Sequence, residues 1–133
     1  MSTPGPRVEQ TAPYINNASA TVPRYTTVIQ DTSDEGLFKL PTAANERPLG
    51  VTEYETEEGE NGSIVREGYW WAIAAAAISI GDTVVINGTA GKVKTDPATS
   101  TTVSHQLGVA ETAAGADGDH IIVRLRIQSV YNP

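Results

Sequence analysis

Leu49-Gly50-Val51-Thr52-Glu53 recurs 58 residues later as Leu107-Gly108-Val109-Ala110-Glu111. Each stretch reads as a short strand with a glycine inside it, and such a glycine marks a bulge or a close backbone approach. Working outward, Ile64-Val65-Arg66 falls on Ile122-Val123-Arg124 at the same spacing. Upstream, Thr27-Val28-Ile29 matches Thr83-Val84-Val85 at a spacing of 56, and Gly36-Leu37-Phe38-Lys39 matches Gly91-Lys92-Val93-Lys94 at 55. The ordered recurrence of four blocks points to an internal repeat. It predicts two similar β-units, residues 21–75 and 76–133, each too small to be comfortably stable alone and so packed as one body. Gly50 and Gly108 would bend their strands at equivalent places.

Composition agrees. Val and Ile total 22 against 5 Leu, and Thr adds 16, a β-branched bias that favours pleated sheets over helices. No window supports a ten-residue helix with apolar residues at a 3.6 period. The expected fold is all-β, with at most short helical turns, in barrel-like or sandwich-like units. Setting aside 16 alanines, 36 large apolar side chains remain, enough for a thin β-rich body but few to wall a deep pocket. Asn61-Gly62 is a hairpin signal, because both residue types tolerate positive φ. Asn87 to Gly91 reads as a five-residue hairpin loop. Ala72 to Ala77 reads as a strand end and a turn, since so short a run cannot nucleate a helix without packing. Along His120 to Ile127, Val123, Leu125 and Ile127 take one face and Arg124 and Arg126 the other.

The first 23 residues differ. Pro4, Pro6, Pro13 and Pro23 are half of the 8 prolines, and proline fixes φ and removes a donor. Residues 1–20 are therefore expected to form an extended arm without a stable strand or helix, mobile in the free protein and ordered against a partner. Val8, Tyr14 and Ile15 would be its apolar anchors.

Several function classes fall away. A net charge of −7 disfavours nucleic acid and anionic lipid. Zero Cys removes disulfides, thiolate metal sites and Cys nucleophiles. No stretch reaches the roughly 18 apolar residues of a membrane span, and no signal peptide is read at the N-terminus. His105 and His120 lack the surroundings of a triad or a metal site. Asp117-Gly118-Asp119 lacks the further oxygen ligands of a calcium loop and reads as a turn. Glu53, Glu55, Glu57, Glu58 and Glu60 form the densest charge cluster, read as a solvated loop with cation binding as a lesser alternative. The reading therefore gives no catalytic, metal or cofactor-binding residue, and no enzyme.

Tyr69-Trp70-Trp71 is the most informative feature left. Side chains alternate along a strand, so three adjacent rings cannot all enter one core. Three readings stay open: an anchor at an interface, closure of the protein's own core, or a platform for sugar.

From Gly68 the order is an aromatic strand, an Ala-rich stretch, Ile78-x-x-Gly81-Asp82-Thr83-Val84-Val85 and Gly91-Lys92-Val93. Leu107-Gly108-Val109-Ala110, Ala113-Ala114-Gly115 and Ile121-Ile122-Val123-Arg124 follow. This succession resembles the capsid cement, or head-decoration, proteins of tailed bacteriophages, and Leu49-Gly50-Val51 through Gly68-Tyr69 is similar to lambdoid head-stabilising proteins. The resemblance implies a structural protein on the outer surface of the capsid, made in the host cytoplasm, without enzymatic activity. It implies the major capsid protein as partner and a homo-oligomer, with a trimer favoured. Val8, Tyr14, Ile15, Tyr69, Trp70 and Trp71 are the expected capsid or subunit contacts. A carbohydrate-binding β-module using Trp70 or Trp71 is the alternative.

Overall fold

The computed structural model describes residues 5–133, and among these the β-branched bias is expressed as strands without a helix. The strands are β1 (Arg7–Asn16), β2 (Thr27–Asp31), β3 (Leu37–Lys39), β4 (Gly50–Thr52), β5 (Asn61–Ile73), β6 (Thr83–Ile86), β7 (Val93–Thr95), β8 (Thr102–Ala110) and β9 (His120–Asn132). β2 runs antiparallel to β3 and to β4, and β4 antiparallel to β5. β1 joins the two ends of this set, parallel to β3 and antiparallel to β5. The pairings therefore close in a ring, β1-β3-β2-β4-β5.

The later strands do the same. β6 runs antiparallel to β7 and β8, β8 to β9, and β9 to the last part of β5. Ala74, just past β5, bridges Val93 of β7 in parallel and closes a second ring. Register partners recur at the spacings seen in the sequence. Val28 faces Gly50 and Val84 faces Gly108. Gln30 faces Phe38 and Ile86 faces Val93. The isolated bridges Val22–Thr56 and Ile78–Ala114 also correspond. At Gly50 a Cβ would meet the carbonyl oxygen of Val65 and stand 2.7 Å from Ile64 Cγ2. At Gly108 it would meet the carbonyl oxygen of Arg124 and stand 3.0 Å from Val123 Cγ1. Glycine is needed in both strands because a neighbouring strand occupies the Cβ space.

Each ring encloses apolar side chains. Val22, Val28, Phe38, Leu49 and Ile64 form one cluster. Ala72, Val84, Leu107, Ile121 and Val123 belong to the other, which Val51 and Val65 extend toward the first ring. Asn45 joins the two halves: its N–H donates to Ile86 O at 2.9 Å, its Nδ2 to Val103 O at 2.8 Å, and its Oδ1 accepts from His105 N–H at 2.9 Å.

Two expectations need correction. The arm is not free of regular structure: from Arg7 it is strand β1, ordered against β5 and β3 of its own chain, while residues 1–4 of the expected arm lie outside the described residues. Proline does not prevent the strand, because Pro13 stands where β1 pairs on one edge only, so a missing donor there need not break a ladder. Asn61-Gly62 is not a turn but the start of β5; the turn falls at Glu58-Gly59, where Gly59 carries the positive φ of 82°.

The end of β1 is held by side chains as well. Buried Asn16 donates from Nδ2 to the carbonyl oxygens of Ala20 and Thr56, both at 2.9 Å, and its Oδ1 accepts from Ala18 N–H at 2.8 Å. Replacing it by Ala removes three hydrogen bonds and leaves the part-buried Ala18 N–H without its acceptor, so Asn16→Ala should lower stability by about 3 kcal/mol, read from urea unfolding. Next door, Asp31 accepts from Ser33 N–H at 2.9 Å and Asn17 Nδ2 at 2.8 Å. The Ser33 backbone bond, then the Asn17 side chain, hold its carboxyl down at about 2, against an ordinary 3.8. A depressed carboxylate stabilises the fold fully above its unfolded pKa and loses that contribution as pH falls through the folded value. The Asp31 contribution should therefore fade between about pH 3.8 and 2. Thermal melts across that window should show a smaller pH dependence for Asp31→Asn than for the native chain.

Candidate interaction surface

Alternation along β5 sorts the three aromatics. Opposite β9, Trp70 pairs with Val123 and Ala72 with Ile121, and all four pack in the second core cluster. Tyr69 pairs with Arg124, Trp71 with Ile122 and Ile73 with His120, and these six share the opposite face of the sheet. Trp70 is thus an inward ring, half-buried, with Nε1 donating to Thr52 O at 3.3 Å. Tyr69 and Trp71 stand on the outer face, half-buried.

Tyr25 completes the surface, and the sequence reading passed over it. Its ring lies 5.7 Å from Trp70, 6.3 Å from Trp71 and 5.4 Å from His120, centroid to centroid. The Arg24 guanidinium sits 4.4 Å above the Tyr25 ring. Tyr25 has φ of 66°, unusual for a bulky residue. The corresponding place in the second ring is Gly81, at φ 90°. The correspondence rests on bonding: Tyr25 N–H donates to Thr52 O, and Gly81 N–H to Ala110 O. A tyrosine held where the other ring has glycine stores strain of about 1–3 kcal/mol. A signal in the sequence is Gly81, which follows Tyr25 at the spacing of 56 that separates the Thr27 and Thr83 blocks.

The other expected contacts are divided. Val8 packs on the second core cluster and Tyr14 on the first, so both close the protein's own cores, while Ile15 is exposed. Glu55, Glu57, Glu58 and Glu60 are exposed on the β4–β5 connection. Among the described residues, no group of three acidic or histidine side chains is placed to hold a metal ion.

The outer face thus presents aromatic rings beside charged side chains. The sequence profile of the phage cement proteins matches residues 7–125. The chain belongs to the phage cement protein family. A capsid-associated structural role follows from that membership. The fold is also similar to a solved structure described as the crystal structure of head fiber gp8.5 N base in bacteriophage phi29. The two share 19% identity with a TM-score of 0.62, over 88% of this chain and 93% of that one. Among curated proteins, no sequence matches this one. The matched span begins at the first residue of β1, so the strand that closes the first ring lies within the family's pattern rather than outside it.

For a cement protein, the inward and outward rings should separate in their effects. Trp70→Ala empties part of a core and should cost about 3 kcal/mol of stability. Trp71→Ala removes a half-buried outer ring and should cost about 1 kcal/mol. Chemical unfolding of the two variants checks the difference.

Proposed function

We propose that this protein binds the outer surface of a phage head shell through the outer face of β5 and β9, with the major capsid protein as partner, and stabilises the shell. The observation that carries the reading is the cluster of Tyr25, Trp71 and His120, with Tyr69 farther along the same sheet face. Rings half-buried in the free protein lose little conformational freedom on docking and present large apolar area, which is how aromatic anchors act in interfaces. Many copies bound to the assembled shell, and not to its loosened form, shift the balance toward the intact particle by mass action. The role is structural and involves no catalysis. We place the protein on the exterior of the virion after synthesis in the host cytoplasm, as a homo-oligomer with a trimer favoured. Ile15 and Trp71 remain shell contacts in this reading and Tyr69 a contact between subunits, while Val8, Tyr14 and Trp70 support them from within.

The two rings read as two copies of one unit. The recurring register partners support this, and they extend the correspondence to the arm: Ile15 faces Asn61 as Ile73 faces His120. β1 is thus to the first ring what the end of β5 is to the second, and the units drawn at 21–75 and 76–133 overlap in β5. A carbohydrate-binding role would use the same rings, but Tyr25 and Trp71 are inclined by 54° and offer no common flat platform.

The test is occupancy of purified empty shells against protein concentration. Trp71→Ala and Tyr25→Gly should each weaken binding about 30-fold, the equivalent of about 2 kcal/mol. Tyr25→Gly should fold normally, because relief of the positive φ offsets lost ring contact. Unchanged occupancy for both variants would defeat the reading.

A further inference from the structure

Positive charge is concentrated in one place on an acidic protein. Five of the six arginines, Arg7, Arg47, Arg66, Arg124 and Arg126 with Tyr69 among them, line an open groove of about 660 Å³. It lies where β5 passes from the first ring to the second, and only Glu9 and Glu67 bring negative charge to its walls. Arg7 pairs with Glu9 at 2.7 Å and Arg124 approaches Glu111 at 3.7 Å. Among the described residues, Arg47, Arg66 and Arg126 have no carboxylate within ion-pair distance. Arg7 also lies 5.5 Å from the centre of the Tyr69 ring, while Arg47, Arg66 and Arg126 keep a positive charge that nearby like charges disfavour.

The complementary surface is on the same chain. Glu55, Glu57, Glu58 and Glu60 project from the β4–β5 connection, and none of them has an ion-pair partner among the described residues. The connection is braced for contact: Thr56 is buried and bridged to Val22, and Asn16 Nδ2 holds its carbonyl oxygen. Groove and loop lie at different points along β5. From Glu60 to Arg66 an extended strand covers roughly 20 Å, so the loop of one chain cannot fill its own groove.

We propose that the arginine groove receives the acidic loop, residues 55–60, of a second copy of this chain. The contact is head-to-tail: each copy offers one groove and one loop, so the association propagates until a ring closes. Guanidinium groups bind carboxylates in paired, directional hydrogen bonds, which fixes the orientation of one copy on the next. The inference rests on the self-association part of the function proposed above and supplies its contact.

The experiment is sedimentation equilibrium without shells at about 0.05 and 0.5 M salt, a range over which exposed pairs become screened. The native chain should associate, and more weakly at the higher salt. Arg66→Glu with Arg126→Glu, and separately Glu55→Lys with Glu57→Lys, should each weaken association at least about 30-fold, because like charges then face each other. The chain carrying all four substitutions should associate again. Melting curves establish that each variant is folded, and Arg66→Gln with Arg126→Gln replaces the Glu pair if that one unfolds. Association of the native chain that ignores these substitutions would overturn the contact alone. A monomeric native chain at low salt would overturn self-association itself. Shell occupancy, measured separately, is unaffected by either failure.

Discussion

The structure depends on β5 being hydrogen-bonded along both edges to different partners. One edge takes β1 along most of its length. The other takes β4 at Ile64 and Val65, then β9 from Gly68 onward. A single strand therefore serves as the last member of one ring and the first of the next. Because the two rings share backbone, neither has to be docked on the other through side chains alone. The price is paid at Gly68, where φ is 115° and a Cβ would run into the backbone of β1. Only glycine meets both conditions.

That sharing also creates the surface. Where β5 changes partners, its alternation sends Trp70 into the second core and leaves Tyr69 and Trp71 outside. Arginines from β1, β5, β9 and the segment before β4 converge beside them. The rings and the charges occupy one continuous region because the same crossing produces both. The cement role is consistent with a body whose free edges are few: closed rings give little opportunity for uncontrolled strand pairing before assembly.

The all-β class was legible in the Val, Ile and Thr content and in the turn residues. The glycines inside the strands were legible too: at Gly50 and Gly108 a neighbouring strand occupies the Cβ space, the close approach that an in-strand glycine signals. The strand at Arg7–Asn16 was not, since its order comes from long-range pairing with β5 that local proline content cannot report. Alternation stated that the aromatics must divide, but which ring turned inward depended on the partner of β5. Tyr25 gave no local sign, because nothing about a tyrosine between Arg24 and Thr26 suggests a left-handed backbone. The arginine groove was invisible for a related reason: its members come from four separate segments, and only Arg124 and Arg126 showed their common face in sequence.

The central claim is that the outer face of β5 and β9 meets a phage head shell. An electron-microscopy reconstruction of shells incubated with the protein, compared with bare shells, tests it most directly. The account predicts added density on the exterior, with Tyr25, Trp71 and His120 at its contact with the shell. Absence of added density, or attachment through the opposite side with those rings facing solvent, would contradict it.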